Sequence, residues 1–145
     1  ARWSPHPRSL GYALSMERTL GRFAPQLFAL LRIVSGALFA LHGTQKLFGF
    51  PGDRPPTGAT LMIVAGLIEA GCGILIAIGF LTRVAAFVAS GEMAVAYFLR
   101  HAPDGFWPLL NRGELSVLYC FLFLFIAAHG AGRWSVDGEK KNDER

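Results

Sequence analysis

Residues 30–50 read LLRIVSGALFALHGTQKLFGF. As a helix, this stretch is long enough to cross a bilayer core of about 30 Å at 1.5 Å per residue. It nevertheless carries Arg32, His42, Gln45 and Lys46. At about 100° per residue, Arg32, His42 and Lys46 fall within an arc of about 80°, and Gln45 extends that arc on one side. An apolar helix with a single polar stripe must turn that stripe toward protein, because ionisable groups facing lipid are costly. The stretch therefore predicts one member of a bundle of membrane-spanning helices.

The rest of the chain supplies the other members. Apolar segments are expected to span at about 26–48, 59–80, 82–99 and 113–131. Breakers separate them: Pro51, Gly52, Pro55, Pro56 and Gly58, then the tight turn Gly79 to Arg83, then Pro103, Gly105 and Pro108. The 145 residues are 52% hydrophobic and 17% charged, with a mean hydropathy of +0.39. These totals also fit an apolar soluble protein; the distribution decides the matter. Charge gathers in the first 22 residues, in the connectors and after Gly132, and the segments between lack the polar face of a soluble helix. The expected fold class is all-α, an integral membrane four-helix bundle. Its parts are a basic segment (1–22), the transmembrane domain (23–134) and a polar tail (135–145), disordered from Asp137 onward. Met16 is a candidate natural start, and no secretory signal peptide is visible in span one.

The net charge of +4 and pI near 9.5 fit flanks that obey the positive-inside rule. Nine Lys and Arg residues lie on the side of Arg2, Arg22, Arg83 and Arg133. Four lie on the other side: Lys46, Arg54, Arg100 and Arg112. Both termini are therefore expected in the cytoplasm, with the Pro55 and Trp107 loops outside. Trp107 and Trp134 are placed as interfacial anchors. No basic stripe with interleaved aromatics points to nucleic acid. Cys72 and Cys120 sit in apolar segments as small fillers rather than a disulfide framework.

Depth counting at 1.5 Å per residue brings several ionisable groups together. His42 and Glu92 fall roughly 10 Å below the outer surface and Glu69 roughly 15 Å below it. Lys46, Asn111 and Glu114 fall at the outer rim. Arg32 stands alone toward the cytoplasmic side, near the depth of His129. The candidate site is a polar pocket in the outer half of the bundle, drawn from His42, Gln45, Lys46, Glu69, Glu92, Asn111 and Glu114. The same residues could instead neutralise one another and fix helix register without chemistry. No HExxH, ExxH or paired-His spacing marks a metal site, and no catalytic triad is assigned. Ser90 and Ser116 are expected to bond to their own helices. Small pairs such as Gly66 and Ala70, Ala85 and Ala89, and Ser90 and Ala94 offer close-packing surfaces.

These motifs resemble the DoxX family of membrane proteins. His42 to Gly49 is similar to the HGxQKLFG motif that opens the family. GFLTRVAA (79–86) resembles its connector between the second and third helices, and EMAVAYFLRHAP (92–103) its third helix. Residues 111–138 resemble the fourth helix and a closing G-x-G-R-x-S-x-D segment. The resemblance covers about Leu20 to Gly138. It adds Thr82, Arg83, Tyr97 and Gly113 to the residues expected to matter. One departure concerns Arg112, which stands where the family often has glycine within Asn-Gly-Gly-Glu.

The resemblance implies a bacterial inner-membrane protein but no single reaction, since the family is linked to quinone-coupled or sulfur-compound oxidation, redox-stress complexes and accessory roles. The leading expectation is an accessory or scaffold subunit of a larger membrane complex, with a redox-linked complex as one form of it. Its partners would be the lipid bilayer and other membrane subunits, or a second copy of the chain. A quinone-linked oxidoreductase acting on a small sulfur compound is the alternative. Quinone is then the cofactor to consider, although no flavin, haem or cluster motif supplies an electron carrier. A small proton-coupled transporter ranks last, for want of an internal repeat.

Overall fold

The computed structural model describes residues 19–52 and 58–138. The expected basic segment before residue 19, the middle of the Pro55 loop and the tail beyond Gly138 lie outside these. Among the described residues the fold is all-helical. Helix α1 spans Ala24–Phe48, α2 Thr60–Ile78 and α3 Thr82–Ala96. A π-helical turn (Tyr97–His101) and a 3-10 turn (Ala102–Asp104) continue α3. The short α4 (Pro108–Asn111) then leads into α5 (Glu114–His129).

Local chemistry accounts for these boundaries. Pro25 sits in the first turn of α1, where its missing N–H costs nothing. Gly49 ends α1 at φ 76°, and its N–H returns to Gln45 O. Gly79 ends α2 at φ 73°, and the N–H groups of Gly79 and Phe80 both reach Leu75 O. The chain turns straight into α3, so α2 and α3 form a tight hairpin.

Among the described residues, three segments are long and apolar enough to cross a membrane: Ala24–Phe48, Thr60–Ile78 and Thr82–Asp104. Helix α5 is apolar but shorter, at 16 residues or about 24 Å. The expected fourth span, 113–131, therefore loses residues at each end to the αL turn at Arg112 and to Gly130. Large apolar side chains cover the outside, including Leu38, Leu67, Phe87 and Phe121. Water would not tolerate such a surface, whereas lipid covers it. The chain is a multi-pass membrane protein.

The inside is held by close approach and by aromatic packing. Helices α1 and α2 touch through glycines spaced seven apart: Gly36 and Gly43 on one, Gly66 and Gly73 on the other. A Cβ at Gly43 would lie 2.3 Å from Ala70 N, and one at Gly73 2.4 Å from Ala40 N. Backbones this close give dispersion contacts that a lipid-solvated pair cannot gain from hydrophobicity. Phe39, Tyr119 and Phe123 stack between α1 and α5, and Ala85, Ala86, Ala89 and Met93 complete the core from α3. Ser90 bonds across to Cys120 O at 2.8 Å on α5, not to its own helix as its position suggested.

The end of the bundle that holds the α2–α3 turn is tied by charged side chains. Arg32 is fully buried. Its guanidinium donates to Ile76 O (2.6 Å) and Ala77 O (2.7 Å) at the end of α2. It also donates to Trp134 O (2.6 Å) and Arg133 O (3.3 Å). Arg83 donates to Ala127 O (2.9 Å), Ala128 O (2.6 Å) and His129 O (3.3 Å) at the end of α5. Asp137 accepts from the N–H groups of Leu81 and Thr82 and from Thr82 Oγ1, at 2.8–3.0 Å, and so caps α3. Cations thus meet helix C-termini and an anion meets an N-terminus, where unpaired carbonyl and amide groups await partners. Residues 135–138 are accordingly a bound strap rather than the free start of a tail: Ser135 is buried, and Asp137 N donates to Gly79 O. We call this the strap end, and the opposite one the loop end.

Candidate functional site

Toward the loop end, all four long helices contribute to one cavity of about 540 Å3. That volume lies within the range of small-molecule sites. Four of its ionisable groups come from three helices. His42 and Lys46 sit one turn apart on α1; Glu69 enters from α2 and Glu92 from α3. Phe39 and Tyr119 also line it, and the remaining walls are mostly apolar.

Lys46 Nζ donates to Glu69 Oε1 at 2.5 Å. The pair crosses the α1–α2 interface. Gly66 makes this possible, because its bare backbone lets the Lys46 stem lie against α2 before the ammonium turns inward. The Glu69 side chain is 3% exposed and that of Lys46 26%. A buried carboxylate without a cation would be strongly unfavourable, so the pair explains how Glu69 can stay inside. It does not satisfy everything. Glu69 Oε2 and Glu92 Oε2 are both buried and have no hydrogen-bond partner. Two acceptors at one cavity therefore remain unpaired, while the nearest ammonium is already engaged.

His42 lies edge-on to the Tyr119 ring, with centroids 6.3 Å apart. It is exposed and lines the cavity wall. The other expected pocket residues do not line the cavity. Gln45 Nε2 donates to Pro51 O at 3.0 Å and holds the loop after α1. Glu114 is exposed in the first turn of α5, where its charge favours the helix N-terminus.

Asn111 is buried and organises the other loop. Its Nδ2 donates to Gly105 O (2.6 Å) and to Tyr97 Oη (3.3 Å), and its Oδ1 accepts from Gly113 N (2.8 Å). The Tyr97 hydroxyl in turn donates to Phe106 O. Gly113 is required here, since a Cβ would lie 2.7 Å from both Asn111 Oδ1 and the Tyr97 ring. Arg112, just before it, takes φ 61°. That left-handed conformation supplies a physical reason for glycine at this position in the family.

Tyr119, Arg100 and His101 also line the cavity and were not among the expected site residues. Tyr119 carried a signal, as an aromatic with a polar tip inside an apolar span. Arg100 and His101 carried none, because the π turn that holds them changes the helical phase after Ala96. Among the described residues, no three His, Cys, Asp or Glu side chains gather as metal ligands.

Comparison with known proteins agrees with this architecture. The DoxX family profile matches residues 27–102, from α1 through the π turn. A Haemophilus influenzae protein is 43% identical over 83% of this chain and 95% of its own length. An uncharacterized membrane protein of Mycobacterium tuberculosis is 32% identical over 86% of this chain and 88% of its own. The inner membrane protein YqjF of Escherichia coli is 31% identical over 73% of this chain and 85% of its own. No solved structure matches the chain. The chain belongs to the DoxX family.

Proposed function

We propose that the chain is an accessory subunit of a larger, redox-linked inner-membrane complex, and that its cavity receives a quinone-type amphiphile. The observation that carries this reading is the cavity itself: about 540 Å3, apolar-walled, with the Lys46–Glu69 pair and Glu92 at one end. An apolar enclosure with few convergent polar groups is the usual form of a small-molecule site. The residues suit such a ligand, whose ring and tail would lie against Phe39 and the aliphatic walls. Lys46, through an N–H that Glu69 does not use, and His42 would donate to its ring oxygens. When bound, the quinone would supply electron acceptance; the chain's own residues would orient it and keep it from water. The accessory role is supported by the family's breadth and by helix faces that can pack against other membrane subunits.

The test has two arms. The full chain in lipid nanodiscs is titrated with a short-chain quinone analogue, and Glu92→Gln and Lys46→Met are each expected to weaken binding at least ten-fold. Unchanged affinity in both variants would remove the cavity from the function. Gentle solubilisation of the source membrane is expected to bring down a stoichiometric partner, and recovery of free chain alone would count against an accessory role. A second reading is favoured by the cations lining the cavity, Lys46 and Arg100, which suit a small sulfur oxyanion. It requires that the purified chain reduce a quinone analogue with thiosulfate and lose that activity in Glu92→Gln.

A further inference from the structure

The cavity has a side. It lies between α2 and α3 with its π-helical continuation, lined by Leu61, Val64 and Ile68 from α2, Val88 and Val95 from α3 and Leu99 from the π turn. All but Ile68 are exposed, from 41% for Val88 to 62% for Leu61. In a membrane protein, exposed apolar residues at mid-helix face acyl chains rather than water. Helices α2 and α3 join at the strap end through the turn at Gly79–Leu81, and the cavity lies between them farther up, as a wedge. Gly91 stands on the exposed stripe of α3 with Val84, Phe87, Val88 and Val95, lines the same cavity, and directly precedes Glu92. A Cβ added there would meet no atom within 4 Å. The missing side chain therefore serves no close helix contact; it leaves a gap in the wall beside a buried carboxylate.

The chemistry at the bottom of that gap has a direction. Lys46 donates a hydrogen bond to Glu69 Oε1, while Glu69 Oε2 and Glu92 Oε2 accept none. Glu69 is 2% exposed. The unpaired oxygens are acceptors, and a buried acceptor left unmatched is unfavourable.

We propose that the site is entered sideways from the bilayer, through the α2–α3 wedge at Gly91, by a lipid-dissolved molecule whose head donates hydrogen bonds to Glu69 and Glu92. This rests on reading the cavity as a ligand site, but it does not require that the ligand be a quinone. The wedge sets the route: the molecule arrives already desolvated, and its tail stays in lipid along Val64 and Val95. The free carboxylate oxygens set the head chemistry.

The full chain in liposomes is treated with dicyclohexylcarbodiimide, which partitions into lipid, and separately with a water-soluble carbodiimide. Peptide mass spectrometry reads the adducts at Glu69 and Glu92. The lipid-soluble reagent is expected to modify Glu92 at least ten-fold faster. Gly91→Trp, whose Cβ would meet no atom within 4 Å and whose ring would cover the gap, is expected to slow it at least ten-fold. Val88→Trp, one turn away, gives the same test should the first variant fail to fold. Phe121→Trp on the outer face of α5 is expected to leave the rate unchanged. Protection is read with a matched pair of probes, 4-dodecylphenol and 4-dodecylanisole, of which only the first carries a donor. The phenol is expected to protect Glu92 and the anisole not. Equal rates with both carbodiimides, or no slowing in either tryptophan variant, would overturn the lateral route. Equal protection by both probes would overturn the donor-head assignment. Expected labelling with no binding of quinone analogues would retain the portal and discard the quinone.

Discussion

Lys46 and Glu69 form a pair whose members depend on each other unequally. Glu69 is almost wholly enclosed, whereas Lys46 keeps some access to the surface. Removing one partner of a buried pair leaves an uncompensated charge and costs about 3–5 kcal/mol. Lys46→Met is therefore expected to lower the unfolding midpoint in detergent markedly, and Lys46→Met with Glu69→Met to recover most of the loss. A double variant no better than the single one would show that the pair is not what holds Glu69 inside. Arg112 presents the opposite case. Its left-handed backbone costs about 1–2 kcal/mol for a residue with a Cβ. Part of that is offset by the freedom glycine loses on folding. Arg112→Gly is expected to stabilise the chain by about 0.5–1 kcal/mol, read as a raised midpoint in the same thermal assay. Of the candidate residues, those legible from spacing were the ones on helix interiors: His42, Lys46, Glu69 and Glu92 do reach one cavity. Gln45 and Asn111 also sit at polar positions, but loop carbonyls that no periodicity reveals claim their side chains. Depth along a helix can be counted, whereas the local loop path that captures an amide cannot.

At the scale of elements, hydropathy and breakers placed the long helices within a few residues, because lipid rewards continuous apolar length whatever the tertiary contacts. Which faces touch was less visible. The small pairs noted along α2 and α3 left out Gly36 and Gly43, and these, with Gly73, make the closest approach in the bundle. Small residues are common in membrane helices, so their presence alone does not tell a contact from an open face. Gly43 and Gly71 separate the two cases experimentally. Gly43→Val must push against the α2 backbone, and it is expected to abolish the monodisperse species in size-exclusion chromatography. A Cβ at Gly71 meets nothing within 4 Å, and Gly71→Val is expected to elute like the parent. The strap was illegible for a related reason. Polar composition after Gly132 reads as solvated chain, yet Ser135 and Asp137 are drawn in by the open helix ends at Gly79–Thr82.

Over the whole molecule the two ends of the bundle divide the work. At the strap end Arg32, Arg83 and Asp137 are each matched to helix termini, although Arg32 Nε stays buried without a partner. The loop end holds the cavity and the unmatched carboxylate oxygens. Stability at one end lets the other carry groups that a uniformly optimised bundle would not keep. The Arg32 clamp also imposes an order on biogenesis. Arg32 enters the membrane with the first helix, but its acceptors lie 44–45 and 101–102 residues later. Until the ribosome has delivered Trp134, the guanidinium is only half-matched inside the bilayer. A nascent chain stopped before residue 133 is thus expected to turn over faster in a pulse-chase experiment than the full chain. Replacing Arg32 with Leu is expected to narrow that difference, because the half-built intermediate would then hold no stranded charge for membrane quality control to find.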